Sequence, residues 1–309
     1  MKEVLDLLII GAGPAGLTAA IYASRTWMNF KIIDKMGVGG QVVKADMIEN
    51  YPGVGKISGI DLALKYADHL NDLGVKVEYE EAAKIEEREE NGEKIFSVIT
   101  KSNKEYLTKK IIIATGVVPR KLGIDKEEFF TGKGISYCTT CDGFFYKDKT
   151  VAIVGSGKTA VSSAIYLSQI AKKVYIINRG ETFYNEDQDV KTIKEMENVE
   201  IKYNSEIEKL LGAEKLEEIL IKNNEINEEE KIALDGLFVL IGNLPNSEFA
   251  KDEIEVCRKN EIYTNQELET TQPGIYAIGD VRQKYVRQIV TAMSDAAIVI
   301  ENLQKTKKQ

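Results

Sequence analysis

Two stretches of the chain share one order of apolar, glycine-rich and helical residues. Residues 4–10 are mostly apolar, end at a glycine-rich turn and lead into a helical pattern from Leu17. Residues 149–154 repeat this order, with glycines at 155 and 157 and a helical stretch from Val161. A buried strand, a tight turn and a helix predict a βαβ unit. The pattern therefore predicts two such units.

The spacing after each glycine turn supports this repeat. In nucleotide-binding βαβ units, the residue that contacts the ribose lies at the end of the second strand. The strand after Gly11 ends at Asp34, and the strand after Gly155 ends at Asn178. Both separations are 23 residues, from 11 to 34 and from 155 to 178. We expect Asp34 to accept hydrogen bonds from ribose hydroxyls.

Alternating, charged stretches between these units predict antiparallel ribbons. Each ribbon leads to an apolar strand that ends in glycine, at 111–116 and at 236–242. Chain crossings near 117 and 244 then make the middle third an inserted domain. The predicted fold class is α/β, with two Rossmann-like nucleotide-binding domains, the second inserted in the first. The predicted bounds are 1–117 with 245–309 for the first domain and 118–244 for the second.

The length and the charge of the chain limit the classes of protein to which it can belong. A chain of 309 residues exceeds the usual size of one hydrophobic core, which agrees with two domains. The formal net charge of −8 gives no overall attraction to nucleic acid or to an anionic membrane. The N-terminus carries no cleavable signal pattern, and no apolar run reaches the roughly 18 residues that cross a bilayer. We expect a cytoplasmic protein.

The first glycine turn, Gly11-Ala12-Gly13-Pro14-Ala15-Gly16, has the pattern of a dinucleotide-binding site. The first glycine permits a tight turn, the second lets backbone N–H groups approach a pyrophosphate, and the third allows close packing of helix and strand. Near the C-terminus, a second strand ends at Gly279-Asp280 and precedes a helix from about Gln288. In a flavoprotein such an acid binds the ribityl or phosphate region. The alternative is a simple turn in which Asp280 caps a helix.

Cys138 and Cys141 are separated by two residues and followed by Asp142. A zinc site needs two further ligands, and only Cys257 and His69 remain, far away in the sequence. We therefore expect no metal. This spacing favours a reversible disulfide, with Asp142 supplying or removing the proton. Two buried, reduced cysteines are the alternative.

In combination, these motifs resemble the low-molecular-weight bacterial thioredoxin reductases over essentially the whole chain. The matching segments are Gly11 to Gly16, Gly39-Gly40-Gln41, Glu49-Asn50-Tyr51-Pro52-Gly53, Ala114-Thr115-Gly116, Cys138 to Gly143, Pro245-Asn246, Gly279-Asp280-Val281 and Arg287-Gln288. The resemblance implies FAD as cofactor, thioredoxin as partner and a homodimer. It also implies that the middle domain rotates, so that the cysteines alternately face flavin and thioredoxin.

The resemblance also assigns roles to single residues. Cys141 would be the sulfur next to the flavin, Cys138 the sulfur that attacks thioredoxin, and Asp142 the acid–base residue. Gln41, Asn50, Asp280 and Gln288 would contact FAD. The complete predicted FAD site comprises Gly11, Gly13, Pro14, Ala15, Gly16, Asp34, Gly40, Gln41, Asn50, Ala114, Thr115, Gly116, Gly279, Asp280, Arg287 and Gln288.

The chain departs from this family at the second glycine turn. Members that use NADPH carry Ser-Ala-x-Glu there, followed by His-Arg-Arg-x-x-x-Arg, whose arginines bind the 2′-phosphate. Here the glutamate position is Ser162, and residues 178–184 read Asn-Arg-Gly-Glu-Thr-Phe-Tyr. Each lost charge-assisted contact costs about 1.5–3 kcal/mol, so two losses weaken binding by about two to four decades. Asn178 also replaces the acid that usually contacts a free 2′-hydroxyl.

An intact flavin site beside a degraded pyridine-nucleotide site resembles the ferredoxin-dependent flavin thioredoxin reductases. We therefore expect reduced ferredoxin as the electron donor, since a flavin accepts electrons one at a time. Residues 280–287 carry three positive charges against one negative, and predict at Arg282 and Lys284 a basic surface for acidic ferredoxin. Alternatives are an NADPH- or NADH-dependent reductase with an atypical nucleotide site, a thiol oxidase and a non-catalytic flavoprotein.

Overall fold

Two parallel sheets contain the two predicted βαβ units. They are seen in a computed structural model of the chain, which describes residues 3–45, 47–90, 92–184 and 188–306. Contacts divide the chain into one unit of residues 1–118 and 244–309 and a second of residues 119–243. The predicted crossings lie near these bounds. At the crossings, the short strands Val117–Pro119 and Asn243–Pro245 pair with each other.

The first unit contains a parallel five-stranded sheet and a second, four-stranded sheet. In spatial order, the strands of the parallel sheet are Ile275–Ala277, Ile111–Ile113, Leu7–Ile10, Phe30–Asp34 and Val77–Tyr79. Those of the four-stranded sheet are Val4–Leu5, Glu105–Thr108, Glu93–Thr100 and Ala82–Glu90. The α-helices of this unit are Pro14–Ser24, Gly59–Asp72 and Ile289–Thr306, and its 3₁₀ helices are Gly40–Lys44, Glu248–Ala250 and Gly279–Val281.

The second unit repeats this plan with a parallel sheet and an antiparallel one. In spatial order, the parallel strands are Ile135–Ser136, Gly236–Val239, Thr150–Val154, Lys173–Ile177 and Val199–Lys202. The antiparallel strands are Ser205–Leu211, Glu218–Asn223 and Glu229–Ala233. The α-helices are Glu127–Phe130, Thr139–Asp142, Lys158–Ser168 and Gln188–Glu195, with a 3₁₀ helix at Gly143–Tyr146.

Burial on both faces explains why the central strands are apolar throughout. Successive side chains of a strand point to opposite faces of its sheet. Leu7 and Ile9 are buried in the core that includes helix Pro14–Ser24, whereas Leu8 and Ile10 belong to a separate core with the four-stranded sheet. Each parallel sheet is thus the middle layer of three, because strand Thr150–Val154 divides its side chains between two cores in the same way. The predicted α/β fold class is confirmed.

Within the residues described, no helix combines the length and apolar character needed to cross a membrane.

Candidate functional site

The first glycine turn has two positions that exclude any side chain. Gly11 has a φ of 112°, and a Cβ atom there would lie 2.4 Å from the carbonyl oxygen of Ala114. A Cβ atom at Gly16 would lie 1.8 Å from the carbonyl oxygen of Gly11. At Gly13 the nearest atom would be the Cα of Gly40, at 3.9 Å. The turn therefore packs tightly against the protein at Gly11 and Gly16, and there is open space beside Gly13.

The open side of the turn is bordered by a second glycine segment. The Gly39 N–H donates to the carbonyl oxygen of Ala12 at 2.8 Å, which places helix Gly40–Lys44 along the turn. A Cβ atom at Gly40 would lie 2.9 Å from the Cα of Gly13, so a side chain at position 40 would press against the turn. The side chain of Gln41 is exposed next to them. Helix Pro14–Ser24 begins directly at this turn, where backbone N–H groups suit a pyrophosphate.

Asp34 lies where the spacing places it, at the end of the second strand, and its carboxylate binds the turn. Its Oδ2 accepts the Ala12 N–H at 2.8 Å, and its Oδ1 accepts the N–H groups of Met36 at 2.7 Å and Gly37 at 2.9 Å. The carboxylate therefore joins the glycine turn to the next loop. These three bonds were not expected from the sequence. The ribose contact of Asp34 stays a prediction.

The loop of Ala114, Thr115 and Gly116 is held by Asn246, a residue that the sequence analysis placed in a motif without a role. The Thr115 hydroxyl donates to the carbonyl oxygen of Asn246 at 2.6 Å, and the Asn246 amide donates to the carbonyl oxygen of Thr115 at 2.9 Å. The backbone N–H of Asn246 also donates to Gly116 at 3.0 Å. Asn246 thus fixes the loop whose first residue lies against Gly11.

A buried oxygen atom of Asp280 indicates that the first unit can hold a cofactor. Among the residues that the structure describes, its buried Oδ1 atom has no hydrogen-bond partner. Burial raises the pKa of this carboxyl group, and the charges of Lys284 and Arg287 partly offset the shift. Buried polar atoms are normally satisfied, so this oxygen fits a hydroxyl group of a ligand. Asp280 lies in helix Gly279–Val281, nine residues before the first residue of helix Ile289–Thr306, which does not fit the alternative of a cap.

Two predicted FAD residues from distant parts of the chain meet next to the last helix. The side-chain amide of Asn50 donates to Oε1 of Gln288 at 3.1 Å. Arg287 precedes Gln288 in the chain, and its guanidinium donates to Glu261 and, at 3.4 Å, to the carbonyl oxygen of Asp280. The structure thus brings Asn50 and Gln288 together and gives Arg287 a role in holding the Asp280 turn.

The predicted basic surface at Arg282 and Lys284 is wrong. Their side chains are only 19% and 7% exposed, and both form ion pairs with the buried Asp295. Oδ2 of Asp295 accepts Arg282 Nε at 2.9 Å, Lys284 Nζ at 2.8 Å and the backbone N–H of Gly279 at 2.9 Å. Burial opposes ionisation of Asp295, but the hydrogen bonds from Arg282 and Lys284 outweigh it and lower its pKa. Both side chains are largely buried and share one carboxylate, so they do not form the exposed basic surface that the segment predicted.

We expect Lys284→Glu to destabilise the protein by about 3–5 kcal/mol, because it breaks a buried ion pair and adds a second carboxylate beside Asp295. Denaturant-induced unfolding measures this free energy. Gln283→Glu is the control, since it adds an acid at the adjacent, exposed position. Equal unfolding midpoints for the two variants would mean that the Lys284–Asp295 pair contributes nothing to stability.

In the second unit, Cys138 and Cys141 are joined by a disulfide, with their Cα atoms 5.3 Å apart. Cys138 immediately precedes the short helix Thr139–Asp142. The hydroxyl groups of Thr139 and Ser163 are hydrogen-bonded at 2.6 Å, which ties the disulfide segment to helix Lys158–Ser168. The pair is therefore a disulfide and not two separate buried thiols.

Ser136 connects Asp142 to Cys138 and was missed by the sequence analysis. Its hydroxyl donates to Oδ2 of Asp142 at 2.6 Å and accepts the backbone N–H of Cys138 at 3.0 Å. The only signal in the sequence is a hydroxyl residue two positions before the first cysteine, which is weak because serine is common. The predicted acid–base residue is thus fixed to the backbone of the cysteine segment.

The second glycine turn is open, but the residue at its ribose position is engaged elsewhere. Gly155 has a φ of 146°, and the space beside Gly157 is clear. The side chain of Asn178 is fully buried; it donates to the carbonyl oxygen of Thr182 at 3.0 Å and accepts the N–H of Gly180 at 2.9 Å. Asn178 therefore closes its own turn. Arg179 is 83% exposed, with Glu206 at 3.7 Å.

Comparisons with known proteins agree on one family. The sequence profile of the pyridine nucleotide-disulphide oxidoreductases matches residues 5–296. A thioredoxin reductase of Mycoplasma genitalium is 39% identical over 300 residues, which are 97% of this chain and 94% of that protein. The crystal structure of thioredoxin reductase from Streptococcus pyogenes is 36% identical, with a TM-score of 0.91 over 100% of this chain and 99% of that chain. A ferredoxin-flavin thioredoxin reductase from Clostridium acetobutylicum is 29% identical, with a TM-score of 0.53 over 99% of both chains.

Proposed function

The chain belongs to the pyridine nucleotide-disulphide oxidoreductase family, and we propose that it reduces the disulfide of thioredoxin with electrons from a pyridine nucleotide. It binds FAD and is a flavin-dependent disulfide oxidoreductase. The observation that carries the proposal is the Cys138–Cys141 disulfide with Asp142 fixed to its backbone. Relatives of 36–39% identity that are named thioredoxin reductase support thioredoxin as the substrate.

The residues of the first unit fit FAD. We propose that the turn around Gly13, together with Gly40, holds the pyrophosphate, and that Asp34 accepts bonds from the ribose. Asp280 offers its unpartnered oxygen to a hydroxyl group of the cofactor. We propose that Asn50 and Gln288, which are hydrogen-bonded to each other, also contact FAD. When bound, FAD supplies the transfer of electrons between a donor and a disulfide.

Transfer to thioredoxin is a thiol–disulfide exchange that balances within the cysteine pair. In the reduced chain, Cys138 attacks one sulfur of the thioredoxin disulfide, forming a mixed disulfide and releasing the other sulfur. Cys141 then attacks the sulfur of Cys138, which restores the Cys138–Cys141 disulfide and releases the second thioredoxin sulfur. Two electrons and two protons pass to thioredoxin. Asp142 takes the proton of the attacking thiol and returns a proton to the leaving sulfur.

Two observations favour a pyridine nucleotide over ferredoxin as the donor. The basic surface that supported ferredoxin is absent among the described residues, because Arg282 and Lys284 are largely buried and both pair with Asp295. The second glycine turn keeps an open side at Gly157, at the start of helix Lys158–Ser168. Backbone N–H groups at such a helix start suit the pyrophosphate of a nicotinamide coenzyme. The likeness to a ferredoxin-flavin enzyme keeps ferredoxin as the second candidate.

Arg179 is the one arginine that remains for a 2′-phosphate, and Glu181 lies two residues from it. Without two of the three charge-assisted contacts, NADPH loses most of its advantage over NADH. We therefore expect both coenzymes to reduce the flavin, with values of kcat/KM that differ by less than about tenfold.

Anaerobic flavin spectra test the donor. NADPH, NADH and reduced ferredoxin are offered in turn, and the absorbance of the flavin is followed. We expect both pyridine nucleotides to bleach the flavin within the turnover time. Bleaching by ferredoxin alone would overturn the donor and leave the disulfide chemistry standing. The homodimer remains a prediction from the resemblance, and the cytoplasmic location remains a prediction from the sequence.

A further inference from the structure

A single buried hydroxyl group joins the acid–base residue to the first cysteine. The hydroxyl of Ser136 donates to Asp142 Oδ2 at 2.6 Å, accepts the Cys138 N–H at 3.0 Å and lies 3.3 Å from the Cys138 carbonyl oxygen. The side chain is buried, so water does not readily replace these bonds. Ser136 therefore contacts both residues that we assign to thiol exchange, Cys138 and Asp142.

The position of Ser136 is fixed by the parallel sheet. Strand Ile135–Ser136 pairs with strand Gly236–Val239, with Ser136 opposite Phe238. The backbone N–H of Asp142 donates to the carbonyl oxygen of Cys138 at 3.1 Å, closing the turn between the cysteines. When the disulfide opens, the covalent link between Cys138 and Cys141 is lost. The Ser136 hydrogen bond links the Asp142 carboxyl group to the sheet without relying on that covalent link.

We propose that Ser136 is a positioning residue, which holds the carboxyl group of Asp142 beside Cys138 during thiol–disulfide exchange. This rests on the proposed function. Asp142 takes the proton of the attacking Cys138 thiol and returns a proton to the leaving sulfur, while the electron pair moves from the enzyme dithiol to the partner disulfide. Without the Ser136 hydrogen bond, the carboxyl group is oriented less precisely and performs this transfer less often, because proton transfer requires hydrogen-bond distance.

The test uses the FAD-loaded enzyme, reduced chemically without oxygen and mixed with excess thioredoxin disulfide. Chemical reduction removes the electron donor from the experiment. We expect Ser136→Ala to slow a single turnover by about tenfold or more and Asp142→Asn by about a hundredfold. Because Ser136 acts through Asp142, Ser136→Ala should cause no further slowing in the Asp142→Asn background.

Ser163→Ala is the matched control. It removes a buried hydroxyl bond of similar length from the same segment, at Thr139, without touching Asp142. Both alanine variants should lower the unfolding midpoint, and only Ser136→Ala should slow exchange. Should Ser136→Ala not fold, the pair Ser136→Thr and Ser136→Val replaces it. These two side chains have nearly the same shape and differ by the hydroxyl group, so the threonine variant should react faster.

Two results would overturn the positioning role. One is a Ser163→Ala variant as slow as Ser136→Ala, and the other is equal slowing by Ser136→Ala with and without Asp142. Measuring the single-turnover rates of the same variants with a small aromatic disulfide tests the role of Ser136 independently of whether thioredoxin is the substrate. If thioredoxin does not react and the small disulfide does, the proposed substrate is wrong, and the coupling of Ser136 to Asp142 is still measured.

Discussion

Cys138→Ser should abolish thioredoxin reduction, lowering turnover by at least about a thousandfold, because serine oxygen cannot replace the thiolate in disulfide exchange. The FAD content should remain one per chain. Cys138 lies in residues 119–243, whereas the predicted FAD residues lie in residues 1–118 and 244–309. A coupled thioredoxin assay and the flavin absorbance per chain measure the two quantities.

Cys257→Ser is the control for this variant. Cys257 is the third cysteine, lies in residues 244–309 and has its sulfur 3.6 Å from a carboxylate oxygen of Glu261. We expect wild-type turnover from this control. If thioredoxin reduction survives Cys138→Ser, or is lost in Cys257→Ser, then Cys138 is not the sulfur that exchanges with thioredoxin.

Features with a local or periodic signal were predictable from the sequence. The strand, glycine turn and helix at Gly11 are adjacent in the chain, and the 23-residue spacing to Asp34 follows from one strand–helix–strand unit. The two-faced burial of strand Leu7–Ile10 made it apolar throughout, which is a strong signal for a parallel sheet. The fold class followed from these patterns.

Contacts between distant side chains were not predictable in this way. Asn246 meets Thr115 across 131 residues, and no periodicity in either segment indicates it. The interpretation of Arg282 and Lys284 failed because a count of charges along one segment ignores a partner elsewhere. A signal did exist, since Asp295 follows the buried Ala292 by three residues and precedes the buried Val299 by four, which places an acid on the apolar face of a helix.

The identity of the electron donor was also not predictable from the sequence. Residues 178–184 lack two of the arginines that the resemblance associates with a 2′-phosphate, but the absence of a contact does not name the partner that replaces it. Ferredoxin needed positive evidence, and the two cations that were to provide it are largely buried in ion pairs with Asp295. The open turn at Gly157 is a property of backbone geometry and becomes visible only in the structure.

Valine at Gly13 and valine at Gly16 should fail for different reasons. Gly13 has a φ of −77°, which valine adopts, and its side chain would enter the open space beside the turn. We expect Gly13→Val to fold and to carry no FAD, because the branched side chain occupies the space where backbone N–H groups must approach the pyrophosphate. At Gly16 a Cβ atom would lie 1.8 Å from the Gly11 carbonyl oxygen, so the turn and the helix cannot both form.

The two variants are compared as apoproteins, because bound FAD itself stabilises the folded state. Gly13→Val should unfold in denaturant within about 1 kcal/mol of FAD-free wild type, and Gly16→Val should lose about 4 kcal/mol or more, or fail to fold. Absorbance at the flavin maximum gives the FAD content of each preparation. A yellow Gly13→Val protein with one FAD per chain would place the pyrophosphate elsewhere, whereas a Gly16→Val protein as stable as wild type would show that the helix can move away from the turn. The contrast between the pair assigns Gly13 to cofactor binding and Gly16 to folding, since a general intolerance of bulk at this turn would affect stability equally at both positions.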